Sequence, residues 1–484
     1  MHLREGVTSA REILRSGSVI IRFLASKSLS FMLFGVPGLK RILASIFVLI
    51  VVSMTIISCG SSSSSTTTTH KPSGIKFRAF ISNPLNASGA NGTLTISPVL
   101  NIVDVQKDQL SLKFFVPLAG SSIQPSLMAL APNGKYTAVY SPNGNTVAIV
   151  DNATEDIAIP SGSTIPLASI ALPGFTESMF VSNFATAAYA AVPTAPIAGQ
   201  PPGAVVVMNL QTGSRSAIIP VPSAHFIVPS PDGNHILVFS DNSDTVTVIA
   251  TALVGTQIDP RTYISGFDRP VWGIFTGNSS AYVLNCGAQC GGTAAGVAML
   301  DLGSSTAVST TPVSAATFGM VSGSTLYVAG TPPANPPGTN TCIGTPTAAT
   351  SCGRLTAIDT GTMAVTGSAI ITDGLHSRMQ MSQNGQLYIG SQSCTNINVP
   401  GGEVRGCLSI FNTSTGSVVV PPNNGNVTGL QQIPSRNIVY VIQNAELGIY
   451  DTLTNKLQVL PANGLNNYGQ IDIVGQPFDV KFVD

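Results

Sequence analysis

The chain has 484 residues, of which 44% are hydrophobic and only 9% are charged. This length supports a large buried core, and so little charge argues against surface helices held by ion pairs. The formal net charge is zero, but the basic residues are concentrated before residue 59, so the remainder is acidic and we expect no nucleic-acid partner.

The first predicted feature in the chain is an export signal. Lys40 and Arg41 precede an apolar stretch, 42–57, that is shorter than the roughly 20 residues of a membrane-spanning helix. A basic start followed by a short apolar stretch is typical of a signal peptide. We therefore predict that residues 1–58 are an N-terminal extension and signal peptide, with Met32 as an alternative start of translation.

The apolar stretch ends at Ser58 and Cys59, and residues 56–59 resemble the lipobox of bacterial lipoprotein signals. The resemblance implies that the thiol of Cys59 is lipidated in an exported protein. Nine consecutive Ser and Thr residues follow at 61–69, a composition that predicts a flexible tether. We assign residues 59–74 to the lipidated cysteine and this tether. A plain transmembrane anchor with an incidental Cys59 is the alternative.

Residues 75–484 are built from a repeat. In one unit the turn 230–233, Ser-Pro-Asp-Gly, joins two apolar runs, and a third run begins with Thr245-Val-Thr-Val. An earlier unit has Ala131-Pro-Asn-Gly in the same place and a third run at 145–151. The Asp-Gly and Asn-Gly pairs supply the positive φ that tight hairpin turns need. Four antiparallel strands in units of about 45 to 61 residues predict an all-β protein, a β-propeller.

The count of units gives eight blades, with seven as the alternative. The first strands of seven units are predicted to begin near Pro125, Ser178, Ala224, Pro270, Ala315, His376 and Val427. The segment 478–482 has the pattern of one more first strand, whereas 75–81 has the pattern of a second strand. We therefore predict that the N- and C-terminal strands pair in one shared blade and close the ring, which removes open edges.

Six cysteines fall in three local pairs, each between two strand-like runs: Cys286/Cys290, Cys342/Cys352 and Cys394/Cys407. We predict three disulfides that clip extended hairpin connections, which requires an oxidising compartment and agrees with export. A zinc site is the alternative, but no pair has a His at ligand spacing, so such a site would have to form across blades.

The units, above all Ser230-Pro-Asp-Gly with Thr245-Val-Thr-Val, resemble the YVTN-type repeats of bacterial surface and exported propellers. The resemblance covers most of residues 75–484 and implies a bacterial cell-envelope protein. The sequence departs from the family's pattern in two ways. No unit contains the full Tyr-Val-Thr-Asn string, and the insertions that contain the cysteines are not part of the repeat. It is specific for the fold and weak for function.

The sequence offers no catalytic motif, and we predict no catalytic residue, no metal and no cofactor. Most acidic residues follow strands, where a carboxylate accepts hydrogen bonds from the turn backbone. They are Asp151, Asp232, Asp241, Asp359 and Asp451. A calcium site at 241–244 is the weaker alternative, because the segment lacks a longer series of oxygen ligands.

One group of residues is a candidate binding site. First strands of a propeller line its central channel, so side chains near their starts should converge at one mouth of the channel. These candidates are His225, Asp268, Arg269, Trp272, His376 and Arg378. We expect them to bind an anionic or polar ligand, with Trp272 as a stacking surface; the alternative is that they only solvate the mouth or pair with Asp268.

The sequence favours a non-enzymatic binding or scaffold module, monomeric, exported and anchored by lipid to a bacterial membrane, facing the periplasm or the cell surface. Its inserted loops and neutral polar surface suit a protein or glycan ligand. Two alternatives remain. One is a propeller enzyme, lactonase-like or a quinone- or other cofactor-dependent oxidoreductase, by analogy of fold alone. The other is a subunit of an envelope assembly.

Overall fold

The computed structural model describes residues 71–88, 93–120, 123–333, 352–399, 401–457, 470, 471, 473 and 475–484. Within these ranges nearly all regular structure is β-strand, and the two helices are single 3₁₀ turns, Thr251–Leu253 and Gly287–Cys290. No helix in the described ranges has the length and hydropathy needed to cross a bilayer.

The strands are short and numbered in chain order. The first half comprises β1 (Arg78–Ser82), β2 (Leu85–Ser88), β3 (Thr93–Ile96), β4 (Val99–Asp104), β5 (Gln109–Pro117), β6 (Met128–Leu130), β7 (Tyr136–Ser141), β8 (Thr146–Asp151), β9 (Asp156–Ile157), β10 (Ile170–Ala171), β11 (Ser178–Val181), β12 (Ala187–Val192), β13 (Ala204–Asn209), β14 (Ser214–Pro220), β15 (Ala224–Pro229), β16 (His235–Ser240), β17 (Thr245–Ala250), β18 (Arg261–Ser265) and β19 (Pro270–Phe275). The second half comprises β20 (Ser280–Asn285), β21 (Gly296–Asp301), β22 (Thr306–Pro312), β23 (Phe318–Ser322), β24 (Thr325–Gly330), β25 (Gly353–Asp359), β26 (Val365–Ile371), β27 (Leu375–Met381), β28 (Gln386–Gln392), β29 (Ile397–Val399), β30 (Glu403–Arg405), β31 (Leu408–Asn412), β32 (Val418–Val419), β33 (Val427–Ile433), β34 (Ile438–Gln443), β35 (Glu446–Asp451), β36 (Lys456–Leu457), β37 (Gln470–Ile471) and β38 (Asp479–Phe482).

These strands form eight antiparallel blades, which confirms the predicted β-propeller and its larger blade count. From the channel outward the blades are β38-β1-β4-β5 (blade 1), β6-β7-β8-β9/β10 (blade 2), β11 to β14 (blade 3), β15 to β18 (blade 4), β19 to β22 (blade 5), β23 to β26 (blade 6), β27-β28-β31-β32 (blade 7) and β33-β34-β35-β36/β37 (blade 8). In blades 2 and 8 the outer strand consists of two segments on one partner.

Blade 1 joins the two ends of the chain, as predicted. β38 pairs with β1 in antiparallel register, with Ala79 opposite Phe482 and Ser82 opposite Asp479. The third and fourth strands of this blade are β4 and β5. Hydrogen bonds between the two ends of the chain therefore close the ring. One of them joins Phe478 N to the carbonyl of Ser82, which lies 396 residues earlier in the sequence.

The core lies between neighbouring blades rather than within one. The second and third strands carry runs of Val, Ile, Ala and Tyr that are buried on both faces, because each sheet is covered by a blade on either side. Tyr140, Tyr388, Tyr440, Phe80 and Phe239 are among the largest fully buried side chains. This packing explains why the strands read as continuous apolar runs and not as alternating ones.

The two ends of the propeller differ. We call insertion face the end where first strands begin, which also carries the connections from second to third strands. Those connections are long in five blades, at 83–98, 193–203, 286–295, 331–352 and 393–407. The opposite end, the turn face, consists mainly of tight turns such as 131–135, 230–234 and 413–417. The chain enters blade 1 through residues 71–77, which lead into the turn-face end of β1.

Disulfides clip two of the insertions. Cys286 bonds Cys290 and Cys394 bonds Cys407, as predicted from the local cysteine pairs. Cys352 is also disulfide-bonded, while its predicted partner Cys342 lies outside the described residues, as does the predicted lipidation site Cys59. The disulfides are consistent with an extracellular or periplasmic location.

Candidate functional site

Four first strands carry the same irregularity at the insertion-face end of the channel. In β15, β19, β27 and β33 the pairing with the second strand shifts by one residue, so that one residue bulges out. The bulged residues are His225, Val271, Ser377 and Thr428. Such bulges re-aim side chains, and here they do so at one level of the channel. We call this level the channel mouth.

His225 is held at the mouth between two carboxylates. Its Nδ1 lies 2.7 Å from Oδ1 of Asp241, which follows β16 in the same blade. Its Nε2 lies 2.7 Å from Oε2 of Glu177, which precedes β11 in blade 3. A carboxylate only accepts hydrogen bonds, so both ring nitrogens donate and the imidazole is protonated.

The pKa values of His225 and Glu177 agree with that protonation state. Burial alone would lower the pKa of His225, but its hydrogen bonds and its attraction to Asp241 and Glu177 raise it to about 9. The hydrogen bond from His225 lowers the pKa of Glu177, and the positive charge of Arg378 lowers it further. At neutral pH the triad therefore carries two negative charges and one positive charge.

Three aromatic rings lie next to the triad and follow one another around the channel mouth. Phe226 stacks on the His225 ring with centroids 4.3 Å apart. Trp272, in the next blade, meets Phe226 edge to face at 6.0 Å and packs against Phe318 of blade 6 at 4.7 Å. Phe226 and Trp272 each directly follow the bulged residue of their strand, and all three rings are only partly buried. We call Phe226, Trp272 and Phe318 the aromatic arc.

Arg378 stands at the far end of the arc. It follows the bulge of β27 in blade 7, next to blade 6. Its Nε donates to the carbonyl of Thr428 at 3.0 Å and its Nη1 to that of Ser377 at 2.9 Å. Within the described ranges no carboxylate lies within ion-pair distance of this guanidinium. Blade 7 lies opposite blade 3 in the eight-bladed ring, and the positive charge of Arg378 is one of the causes that lower the pKa of Glu177.

Asp268 and Arg269 organise the rim instead of facing the channel. Asp268 accepts hydrogen bonds from the backbone and hydroxyl of Thr293 and from Ala294 N, and thereby fixes the insertion that contains Cys286 and Cys290. Hydrogen bonding to the Thr293 hydroxyl is the main cause that lowers the pKa of Asp268. Arg269 donates to the carbonyl of Asn242 in blade 4 at 2.6 Å. Both residues therefore have structural partners.

His376 is separated from the other candidates. It lies one residue before the bulge of β27, is only 2% exposed, and its Nε2 donates to the carbonyl of Thr372 at 2.9 Å. Desolvation by this complete burial lowers its pKa to about 4. The structure thus brings together His225, Trp272 and Arg378 of the predicted site and places His376 in the packing beneath it.

Four residues of the mouth are not among the site residues predicted from the sequence. They are Glu177, Asp241, Phe226 and Phe318. Glu177 could have been found from the repeat, since it immediately precedes the first strand of its blade. The sequence pattern predicts that Asp241 forms a turn, or that it is a ligand in the alternative calcium site at 241–244. In the structure Asp241 binds His225, while Asp244 accepts from Arg269 N at 3.1 Å. No cluster of three or more metal-ligating side chains occurs among the described residues.

No protein-family model matches the sequence, and no curated protein does. Among solved structures the chain is similar to dihydro-heme d1 dehydrogenase NirN in complex with DHE, at 10% identity and a TM-score of 0.51, over 84% of this chain and 75% of that one. It is also similar to hydrazine synthase of Kuenenia stuttgartiensis, at 16% identity and a TM-score of 0.48 over 70% and 96% of the two chains. The periplasmic gluconolactonase of Pseudomonas aeruginosa is 15% identical, with a TM-score of 0.42 over 84% and 99%. At such identities the likeness shows the β-propeller fold alone.

Proposed function

We propose that this protein is an exported binding module, anchored by lipid at Cys59, whose working surface is the insertion face of the propeller. The observation that carries the proposal is the uneven distribution of insertions. The five long connections all leave the same end of the blades, while the opposite end has mainly tight turns. Variable loops on one face of a rigid scaffold are a common arrangement for recognition.

The disulfides support this assignment. A loop that binds a partner loses conformational entropy on binding, and a covalent clip removes part of that cost in advance. The Cys394–Cys407 bond closes an insertion that also contains the hairpin of β29 and β30. The Cys286–Cys290 bond lies beside the loop that Asp268 fixes. These insertions are therefore pre-organised for contact.

The route of the chain also supports the proposal. Residues 71–77 approach the propeller from the turn-face end of β1, and Ser73 is tied there to Glu155 by two hydrogen bonds of 2.5 Å. Residues 71–77 thus enter the propeller at the end opposite the insertion face. The lipobox-like residues 56–59 and the resemblance of the repeat to YVTN-type exported propellers also support a location in the bacterial envelope.

Lipid anchoring is tested by cell fractionation. The full-length protein should partition with membranes, and the Cys59→Ser variant should appear in the aqueous phase with a mass that lacks diacylglycerol. Membrane partitioning of the variant equal to that of the natural chain would contradict the anchor and support the transmembrane alternative.

The binding face is tested by photo-crosslinking in intact cells. A crosslinking amino acid is placed at exposed Ala198 or Asn398 on the insertion face, and at exposed Asn133 or Thr415 on the turn face as matched controls. We expect a discrete adduct from the first two positions and none from the controls. Adducts from the turn face alone, or no adduct from any position, would contradict the proposal.

A further inference from the structure

The channel mouth has two poles of opposite charge. On one side Glu177 and Asp241 bracket His225, and each uses one carboxylate oxygen for the imidazole. Their side chains remain 51% and 50% exposed. Because two carboxylates surround one imidazolium, this side keeps a net negative charge and retains unused acceptor oxygens.

The opposite pole is Arg378. Its Nε and Nη1 are bound to backbone carbonyls, which hold the guanidinium in place without neutralising it. A fixed arginine without a carboxylate at ion-pair distance is a good receptor for a ligand carboxylate, because its fork of donors matches the two oxygens. The remaining donor, Nη2, makes no hydrogen bond to a described residue.

The aromatic arc connects the two poles. Its rings belong to blades 4, 5 and 6, between the triad at blades 3 and 4 and the guanidinium of blade 7. The rings pack on each other rather than being fully covered, so they offer an apolar surface between the charges.

We propose that the channel mouth binds a small zwitterion with an apolar ring, of the chemical class of the aromatic amino acids. The ligand carboxylate pairs with Arg378, its ammonium group with Glu177 and Asp241, and its ring with the aromatic arc. The inference deepens the proposed function, because it names a ligand chemistry for the centre of the insertion face.

The two charged groups of the ligand have distinct roles. A neutral or purely anionic ligand would leave the net negative charge of Glu177 and Asp241 around His225 uncompensated, and a purely cationic ligand would leave Arg378 without a carboxylate partner. A polar group that is left without a partner in a binding site lowers the affinity by more than the free energy of the lost contact, because the group has also been removed from water. Discrimination against both truncated ligands therefore distinguishes this site from a simple apolar pocket.

The experiment uses the only tryptophan of the chain, Trp272, as the reporter. Full-length protein in detergent is titrated with L-phenylalanine while Trp272 fluorescence is recorded. We expect a saturable change, with an affinity at least about tenfold better than for 3-phenylpropionate, which lacks the ammonium group, or phenethylamine, which lacks the carboxylate. Calorimetry of the same titration gives the affinity independently of the fluorophore.

Three variants assign the contacts. Arg378→Gln should weaken phenylalanine binding about tenfold and abolish the preference over phenethylamine. Glu177→Gln should reduce the preference over 3-phenylpropionate. Arg261→Gln removes a partly buried arginine of the outer strand β18 and serves as the matched control, with unchanged binding expected. The Trp272 emission of each variant without ligand checks that the mouth has folded.

Three results would overturn this proposal. They are no saturable signal up to about 10 mM phenylalanine, equal binding of phenethylamine, and full affinity in Arg378→Gln. Such a failure is distinguishable from failure of the proposed function, because crosslinks from Ala198 and Asn398 report on the insertions and not on the channel.

Discussion

His225 and His376 lie near the starts of equivalent strands, yet their surroundings give them opposite protonation states. His225 has a carboxylate at each ring nitrogen, and its pKa is raised to about 9. His376 has one backbone carbonyl at Nε2, and no partner at Nδ1 in the described structure, and its pKa is lowered to about 4. Their positions relative to the bulge decide this difference. His225 is the bulged residue of its strand and lies at the mouth, whereas His376 precedes the bulge of its strand and is buried.

The triad predicts a pH dependence of stability. The raised pKa of His225 means that its contribution is complete below the unfolded value of about 6.5 and is lost as pH rises through about 9. The destabilisation caused by His225→Gln should therefore be larger at about pH 6 than at about pH 10. Chemical denaturation at the two pH values measures it, and Asp241→Asn should lower the imidazole pKa followed by NMR. An identical effect of the substitution at both pH values would contradict the protonated triad.

His376 predicts the opposite dependence. Its lowered pKa means that protonation favours the unfolded chain, so stability falls as pH drops from about 6.5 to about 4. Over this interval the natural chain should lose on the order of 3 kcal/mol more than His376→Gln, which keeps a side-chain N–H for Thr372 O. Urea unfolding of both proteins at each pH provides the comparison. Parallel losses would show that His376 is not the group that titrates.

The repeat pattern predicted which strand positions lie near the channel mouth, but it did not predict all the side chains that interact there. Trp272, Arg378 and His225 could be selected because they lie at similar positions of the repeat. Position in the repeat alone could not separate His225 from His376, because a one-residue bulge is invisible in a pattern of short strands. Glu177 was not selected because its importance depends on the neighbouring blade.

At the scale of the element, one turn recurs between the third and fourth strands. An Asp or Asn at its first position accepts a hydrogen bond from the backbone N–H two residues later in seven blades. These residues are Asp104, Asp151, Asn209, Asp301, Asp359, Asn412 and Asp451. Four residues after each, the chain has positive φ, at Asp108, Glu155, Gly213, Ser305, Met363, Gly416 and Asn455. Blade 4 differs because the 3₁₀ turn Thr251–Leu253 occupies this connection.

This turn predicts a specific order of substitutions. Asn412 accepts from Ser414 N at 2.9 Å and from Thr415 N at 3.0 Å. Asn412→Ala should lower the free energy of unfolding by about 1 kcal/mol, because the side chain satisfies two backbone donors. Asn412→Asp should be nearly neutral, since Asp occupies the same position in other blades. Equal destabilisation by both substitutions, in denaturant unfolding, would argue against a hydrogen-bonding role.

The strands could be predicted because their signals are local. The first strands of blades 3, 4, 5 and 8 begin at Ser178, Ala224, Pro270 and Val427, as the repeat indicated. Those of blades 2 and 6 begin three residues later than predicted, at Met128 and Phe318. The interrupted outer strands of blades 2 and 8 were not foreseen, because the outer strand is half exposed and carries a weak apolar pattern.

For the whole molecule, blade 1 is the part that defines the ring. Three ion pairs with a buried carboxylate meet there. Arg436 of blade 8 binds Asp108, which is 3% exposed, and Arg78 of blade 1 binds Glu155 of blade 2, which is 1% exposed. Lys481 binds Asp479 within β38. Blade 1 is thus fastened on both sides by charges that neighbouring blades contribute, in addition to its hydrogen bonds.

Breaking one of these pairs should be costly. Asp108 also accepts a hydrogen bond of 2.6 Å from the hydroxyl of Tyr440, so Asp108→Asn leaves Arg436 half-buried without its counter-charge. We expect a loss of about 3 kcal/mol in the free energy of unfolding. Asp259→Asn, which breaks an exposed pair with Arg261, is the control and should change little. A small effect of Asp108→Asn would mean that strand pairing alone secures the closure.

The pairing of β1 with β38 has a consequence for how the protein is made. Until β38 has been synthesised, the first blade has only the strands β1, β4 and β5, and its inner edge is open. An interrupted polypeptide keeps that edge unpaired, a state prone to association and accessible to proteases. Closure of the ring therefore depends on β38, and a polypeptide interrupted before that strand is marked by this one open edge.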